Sequence, residues 1–101
     1  MYEIRYLPFA KKDLLDISTY IADNLKTPKA AINLLNALDK AISRLEDFPY
    51  SCRVYHHIQS LEAEYRLLPV KNYAVLYVVT ENVVEISRII YAKMDLTKLI
   101  K

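Results

Sequence analysis

Residues 65–91 decide the fold, and they read YRLLPVKNYAVLYVVTENVVEISRIIY. Aliphatic and aromatic side chains fill three runs, which are residues 64–70, 73–80 and 83–91. Only Lys71-Asn72 and Glu81-Asn82 separate these runs, and two-residue gaps are typical of tight hairpins. The stretch therefore predicts an antiparallel meander of three strands. Because the chain has no glycine, we expect Asn72 and Asn82 to adopt the left-handed backbone angles of the turns.

The residues before the meander predict one strand and two helices. Residues 2–7 alternate in polarity and contain β-forming side chains, which predicts a first strand. From Phe9 to about Leu25, apolar residues recur every three or four positions, as in an amphipathic helix. Thr27-Pro28 suits the start of a second helix, which Pro49 ends. The short connection predicts that the two helices form an antiparallel hairpin.

Together these elements predict a single α+β domain over residues 1–101. Its order is an N-terminal strand, the helical hairpin, and an antiparallel meander of three to four strands, with the helices packed on one face of the sheet. Residues 50–62 are less periodic and predict a loop that can hold a short strand. The last residues, 92–101, predict a short helix or a docked tail.

The middle strand is apolar on both of its faces. Its odd-numbered side chains should point to one side of the sheet and its even-numbered side chains to the other. Such a strand is expected to be covered on both faces, and the helical hairpin can cover only one of them. The C-terminal tail is one candidate cover for the remaining face, and a second protein is the other. We assign contacts with a protein partner to the odd-numbered set: Tyr73, Val75, Tyr77 and Val79.

Composition excludes several kinds of site. Without glycine, the chain cannot form Gly-rich phosphate loops or dinucleotide fingerprints. Its single cysteine, Cys52, excludes an intrachain disulfide. His56 and His57 are neighbours whose side chains diverge on an extended segment, so they make a poor chelating pair. We therefore expect no cofactor, no metal ion and no small-molecule substrate.

Charge and hydropathy indicate a cytoplasmic protein that binds another protein. The net charge is +2, and residues 48–101 carry all of it, because residues 1–47 hold seven basic and seven acidic side chains. A strong nucleic-acid binder usually has a larger basic surplus. The chain starts without a signal pattern, and no apolar run approaches the roughly 18 residues of a membrane helix. A hydrophobic fraction of 53% in so small a domain indicates apolar surface for a partner.

A set of short motifs is spread from about Tyr2 to Leu99, and it is specific only in combination. The motifs are Ala10-Lys11-Lys12-Asp13-Leu14, Ile17, Tyr20-Ile21, Leu45, Phe48-Pro49, Tyr65-Arg66, Val70-Lys71-Asn72-Tyr73, Leu76-Tyr77, Arg88-Ile89-Ile90-Tyr91 and Asp95. Together they resemble the ParE-type toxins of the RelE/ParE superfamily.

The resemblance implies the toxin of a type II toxin–antitoxin pair. In that superfamily the C-terminal segment of a cognate antitoxin wraps and neutralises the toxin, and operator DNA is held only through the antitoxin. ParE-like members inhibit DNA gyrase, whereas RelE-like members enter the ribosome and cut messenger RNA without a metal ion. The resemblance favours gyrase as the target. The alternatives are a RelE-like endoribonuclease and a degenerate member that retains only antitoxin binding.

If the chain is a nuclease, four residues are the candidates for its catalytic site. Arg66 matches the Tyr-Arg position where nuclease members hold a phosphate, although ParE-like members share it and a structural or antitoxin-binding role is equally open. Arg88 falls on a largely apolar face, where its charge requires an ion pair, a bulge that turns it outward, or the mouth of a site. Lys93 and Tyr91 could serve beside them. Met94 and Leu96 depart from the nuclease pattern, which tilts the prediction towards gyrase.

Overall fold

A computed structural model of the chain describes residues 1–24, 28–55 and 64–92. The elements follow the predicted order: β1 (Glu3–Tyr6), α1 (Pro8–Thr19) with a π-helical turn (Tyr20–Asn24), α2 (Pro28–Ser43) with a 3-10 turn (Arg44–Glu46), β2 (Tyr65–Val70), β3 (Tyr73–Thr80) and β4 (Val83–Tyr91). None of the helices in these residues is long and apolar enough to cross a membrane.

Both helices begin at a proline. Pro8 and Pro28 each occupy the first helical position, where the missing N–H would have no partner in any case. The first helix does not stay regular to its end, because residues Tyr20–Asn24 form a π-helical turn. The second helix tightens into the 3-10 turn after Ser43, several residues before Pro49. The predicted helices are therefore confirmed, with ends that differ from the predicted ones.

The sheet has the strand order β1-β4-β3-β2. The meander of β2, β3 and β4 is antiparallel, as predicted. The first strand instead pairs in parallel with β4, so the sheet is mixed. A parallel neighbour is accessible to β1 because the helical hairpin follows it and supplies the long crossover that parallel pairing needs. From residues 50–62, only Val54 forms a described bridge, with Arg66 at the outer edge of β2.

The two tight turns differ from the prediction in one detail. The pairs Val70↔Tyr73 and Thr80↔Val83 leave two residues in each turn. The positive φ angles belong to Lys71 (54°) and Glu81 (45°), not to the asparagines that follow them. The expectation for Asn72 and Asn82 was therefore wrong, because the strand register places the left-handed position first in each turn. A non-glycine residue there costs roughly 1–2 kcal/mol.

The main core lies between the helices and one face of the sheet. Leu34, Leu38 and Ile42 of α2 are buried in it. The odd-numbered side chains of β3 face this core, and Val75 and Tyr77 are fully buried. The helical hairpin therefore covers the face to which the sequence analysis assigned partner contacts.

The opposite face of β3 is also buried within this single chain. Leu76 is fully buried, and Ala74 and Val78 are nearly so. Ala74 and Ile90 form a second, smaller cluster against Tyr55 and Leu67. Of the two covers left open for this face, a second protein is therefore not required, since the face is buried within the single chain. The tail that was the other candidate cover lies outside the described residues, except for Ala92.

A β-bulge interrupts β4. Leu76 pairs with Arg88 and Tyr77 pairs with Ile86, so Ser87 is an extra residue on β4. A bulge of this kind changes which face the following side chains occupy. As a result, Ile86 and Ile89 both lie in the main core although their numbers differ in parity. The strict alternation on which the sequence analysis placed Arg88 ends at this point.

Candidate functional site

Arg66 is held by three neighbours at the outer edge of the sheet. Its guanidinium donates to the carbonyl oxygen of Cys52 at 2.7 Å and to Oε1 of Glu64 at 3.0 Å. The guanidinium carbon also lies 5.0 Å from the centre of the Tyr50 ring, a cation–π distance. Only 15% of the Arg66 side chain is exposed. These contacts, the Arg66 cluster, fasten residues 50–54 to β2.

A buried tyrosine supports the same loop from inside the core. The Tyr77 hydroxyl donates to the carbonyl oxygen of Pro49 at 2.8 Å. Burial raises the pKa of the Tyr77 phenol, so the group stays protonated and remains a donor. On the surface, the Tyr50 ring meets Tyr2 edge-to-face with 6.3 Å between centres. The start of this loop is therefore held by Tyr77 from the core and by Tyr2 at the surface, in addition to its contacts with Arg66.

Arg88 forms a bidentate ion pair with a residue of α1. Its Nε lies 2.8 Å from Oδ2 of Asp13, and its second terminal nitrogen lies 3.0 Å from Oδ1. The hydrogen bond to Asp13 raises the pKa of the Arg88 guanidinium. The Phe9 ring lies 5.5 Å from the guanidinium carbon, so Arg88 has a cation–π contact as well. Of the readings left open for Arg88, the ion pair is present and the bulge lies beside it.

Asp13 is the ion-pair partner of Arg88 that the sequence did not reveal. Its Oδ2 also accepts a hydrogen bond from the backbone N–H of Ile89 at 2.9 Å, and only 12% of its side chain is exposed. A signal was available, because Asp13 follows the buried Ala10 by one helical turn and thus faces the sheet. A carboxylate at such a position needs a cation. These contacts, the Arg88 cluster, join α1 to the bulge of β4.

The four nuclease candidates do not form one site in the described part of the chain. Arg66 lies on β2 and Arg88 on β4, with β3 between them. Each arginine is paired with a different carboxylate. Tyr91, at the end of β4, packs against Tyr73. Lys93 lies outside the described residues, as do His56 and His57.

The residues predicted to bind an antitoxin are mostly core residues. Val75 and Tyr77 are fully buried under the helices, and Val79 packs against the same core. Of this set, Tyr73 alone lines one of the larger surface pockets. Partner contacts through the other three would require the helical hairpin to separate from the sheet.

Tyr73 belongs to an open pocket between the helical hairpin and the end of the sheet. We call it the tyrosine pocket, and its volume is about 650 Å³. Its lining combines phenols, one ammonium group, one amide and two aliphatic side chains: Tyr20, Tyr73, Tyr91, Lys71, Asn72, Ile21 and Leu34. The rings of Tyr73 and Tyr91 meet edge-to-face with 5.7 Å between centres. Burial, followed by the nearby phenols of Tyr91 and Tyr20, raises the pKa of Tyr73.

No cluster of metal ligands is present in residues 1–24, 28–55 and 64–92. Among them, no group of three or more histidine, cysteine, aspartate or glutamate side chains could hold a metal ion.

Comparisons with known proteins found similarity to one toxin family and to solved structures. A family model described as the ParE toxin of the type II toxin–antitoxin system parDE matches residues 4–96. Among solved structures, a chromosomal ParDE TA system from P. aeruginosa superimposes with a TM-score of 0.75. That match covers 92% of this chain and 98% of the other, at 16% sequence identity, which shows a shared fold. No curated protein matches the sequence.

Proposed function

The chain belongs to the ParE toxin family of type II toxin–antitoxin systems, and from this premise we propose that it inhibits DNA gyrase and is neutralised by a cognate antitoxin. Gyrase inhibition is the activity that the resemblance to ParE-type toxins implies. The competing activity in the wider superfamily is ribosome-dependent cleavage of messenger RNA. The state of the two candidate arginines favours gyrase over RNA.

The observation that carries the proposal is that both arginines are already engaged. Metal-independent RNA cleavage needs cationic groups that are free to stabilise the charge on the phosphate. The Arg66 guanidinium is bound to a carbonyl oxygen and a carboxylate, and the Arg88 guanidinium to both oxygens of Asp13. Within the described part of the chain, both guanidinium groups therefore already have oxygen partners.

Releasing either arginine for catalysis would be unfavourable. The bond of Arg66 to the Cys52 carbonyl and the bonds of Arg88 to Asp13 are part-buried, and hydrogen bonds that involve a charged group contribute about 1.5–3 kcal/mol each. Asp13 would also be left as a carboxylate with 12% exposure and no cation beside it. A phosphate would have to compensate for these losses in each turnover. We expect Arg66 and Arg88 to act as structural residues instead.

The low net charge of the chain bears on whether it contacts operator DNA directly. A net charge of +2 gives the toxin little affinity of its own for DNA. We therefore propose that the toxin reaches operator DNA only through the antitoxin.

The direct test is a supercoiling assay with purified gyrase, relaxed plasmid and ATP. We expect the chain to block supercoiling or to trap double-strand breaks, and we expect the antitoxin encoded by the neighbouring gene to restore supercoiling. The control is messenger RNA on translating ribosomes, which should stay intact at the same toxin concentration. Cleaved message together with unaffected gyrase would overturn the proposal, and so would a chain that affects neither target.

A further inference from the structure

We propose that the tyrosine pocket is an anchor site for the antitoxin, and that it takes a large apolar side chain flanked by a carboxylate. The inference rests on the proposed function only in naming the antitoxin as the partner. It does not depend on gyrase being the target. Four properties of the pocket, its shape, its charge, its backbone and its exposed rings, support it.

The pocket has the size and walls of a side-chain site. Its volume, about 650 Å³, lies within the range of about 300–1,000 Å³ that is typical of ligand pockets. Ile21 and Leu34 are buried and give it an apolar interior, while the phenol rings supply aromatic walls. Such a lining favours an aromatic or leucine side chain.

The polar groups of the pocket favour an anion. Among the described residues no acidic side chain lines it, and Lys71 contributes an ammonium group. Within the described residues Lys71 forms no ion pair, in contrast to Arg66 and Arg88. The Tyr73 phenol, whose pKa is raised, stays protonated near neutral pH and is a donor to an incoming carboxylate. A carboxylate is therefore complementary to both kinds of group.

Irregular backbone forms both walls. Tyr20 and Ile21 come from the π-helical turn that follows α1, and π-helical turns occur often at functional sites. Opposite them, Lys71 holds a left-handed φ of 54°, which glycine or asparagine would adopt with less strain. The turn thus holds the Lys71 ammonium group beside the π-helical turn despite a backbone cost.

The exposed rings identify a peptide as the occupant. Tyr20 is 53% exposed and Tyr91 44%, so the mouth of the pocket presents aromatic surface that a protein partner would bury. A strand of RNA would need several cations along its backbone, and within the described part of the chain Lys71 is the single cation of the lining. A peptide that carries one carboxylate beside one apolar side chain therefore matches the pocket, whose described residues offer one ammonium group beside three aromatic rings.

The first test reverses the charge of the pocket in the full chain. We expect Lys71→Glu to weaken binding of the neighbouring gene's antitoxin by about tenfold or more, since like charges would meet at the anchor. Lys40→Glu is the matched control, because Lys40 is an exposed lysine of α2 that does not line the pocket. Its affinity should stay within about twofold of the original. Equal losses in both variants, or no loss in either, would overturn the inference.

The second test separates the charge of Lys71 from its backbone strain. Asparagine tolerates left-handed angles, so Lys71→Asn should raise the thermal unfolding midpoint while it weakens antitoxin binding by about fivefold. A more stable variant with unchanged affinity would show that Lys71 is only a turn residue, and the inference would fall.

A third test uses small probes and does not require the antitoxin. In ¹⁹F NMR of the fluorotyrosine-labelled chain, N-acetyl-Phe-Glu-amide should shift the Tyr20, Tyr73 and Tyr91 signals, which Tyr→Phe variants assign. N-acetyl-Phe-Gln-amide and N-acetyl-Ala-Glu-amide should shift them less. An oligonucleotide that shifts these signals when the first dipeptide does not would overturn the inference. Because no gyrase is used, this readout is independent of the proposed target.

Discussion

The Arg66 cluster and the Arg88 cluster are each built around an arginine, but different contacts hold the two arginines. Glu64, the carboxylate beside Arg66, is 63% exposed and accepts one hydrogen bond from it. Asp13, the carboxylate beside Arg88, is 12% exposed and accepts two bonds from the arginine and one from the backbone of Ile89. An exposed ion pair contributes little, whereas a shielded one is costly to break. The first cluster therefore depends on a carbonyl and a ring, and the second on its charge pair.

We expect the largest effect from Arg88→Ala. The change leaves the Asp13 carboxylate shielded without a cation and loosens α1 from β4, so the free energy of unfolding should fall by about 3 kcal/mol. Urea denaturation measures it. Arg5→Ala is the control, because the Arg5–Glu3 pair is 56% and 65% exposed and should contribute almost nothing. A loss for Arg88→Ala no larger than for Arg5→Ala would erase the contrast between the clusters.

A smaller effect is expected from Arg66→Ala. It removes the bond to the Cys52 carbonyl and the contact with Tyr50, so stability should fall by about 1–2 kcal/mol. Because residues 50–54 would be released, the Cys52 thiol should also react faster with a disulfide reagent. Glu64→Gln should cost less than about 0.5 kcal/mol, since Glu64 is largely exposed. If Glu64→Gln were as costly as Arg66→Ala, the Arg66 cluster would depend on charge after all.

Of the three destabilising variants, Tyr77→Phe should have the smallest effect at neutral pH, because it removes one neutral hydrogen bond to Pro49, worth about 1 kcal/mol. The pKa of this phenol is higher in the folded chain than the ordinary value of 10.0. The contribution of the Tyr77 phenol to the free energy of unfolding is therefore fully present below pH 10. It is lost as the pH rises above 10, because the phenol ionises first in the unfolded chain. Denaturation at pH 8–11 should show a shallower loss for Tyr77→Phe than for the original chain. Parallel curves would mean that Tyr77 does not contribute to the pH dependence.

The meander could be predicted from the sequence because its information is local. Two-residue gaps between Tyr65 and Tyr91 specify neighbouring antiparallel strands without reference to the rest of the chain. The parallel pairing of β1 with β4 and the burial of Leu76 depend on residues far apart in sequence. The preference of asparagine for left-handed angles also failed to predict the turn at Lys71. There the strand register, rather than the residue type, determines which residue takes the left-handed angle.

The candidate site was harder to predict than the fold. The sequence singled out Arg66 and Arg88 as candidate site residues. What distinguishes a catalytic arginine from a structural one is its partner, and Asp13 lies 75 residues away from Arg88. The tyrosine pocket likewise joins a helix end, a turn and a strand end that no motif connects. Patterns of residues along the sequence do not reveal which distant residues become partners in the fold.

The extra residue at Ser87 also limits how this chain can evolve. Every side chain from Arg88 to Tyr91 takes its face from that insertion. Loss of a single codon there would exchange the two faces at once, withdrawing Ile89 from the interior and parting Arg88 from Asp13. Single substitutions can therefore be tolerated in this strand, whereas insertions and deletions cannot. Among relatives of this protein, the spacing between Ile86 and Ile89 should therefore be better preserved than the residues within it.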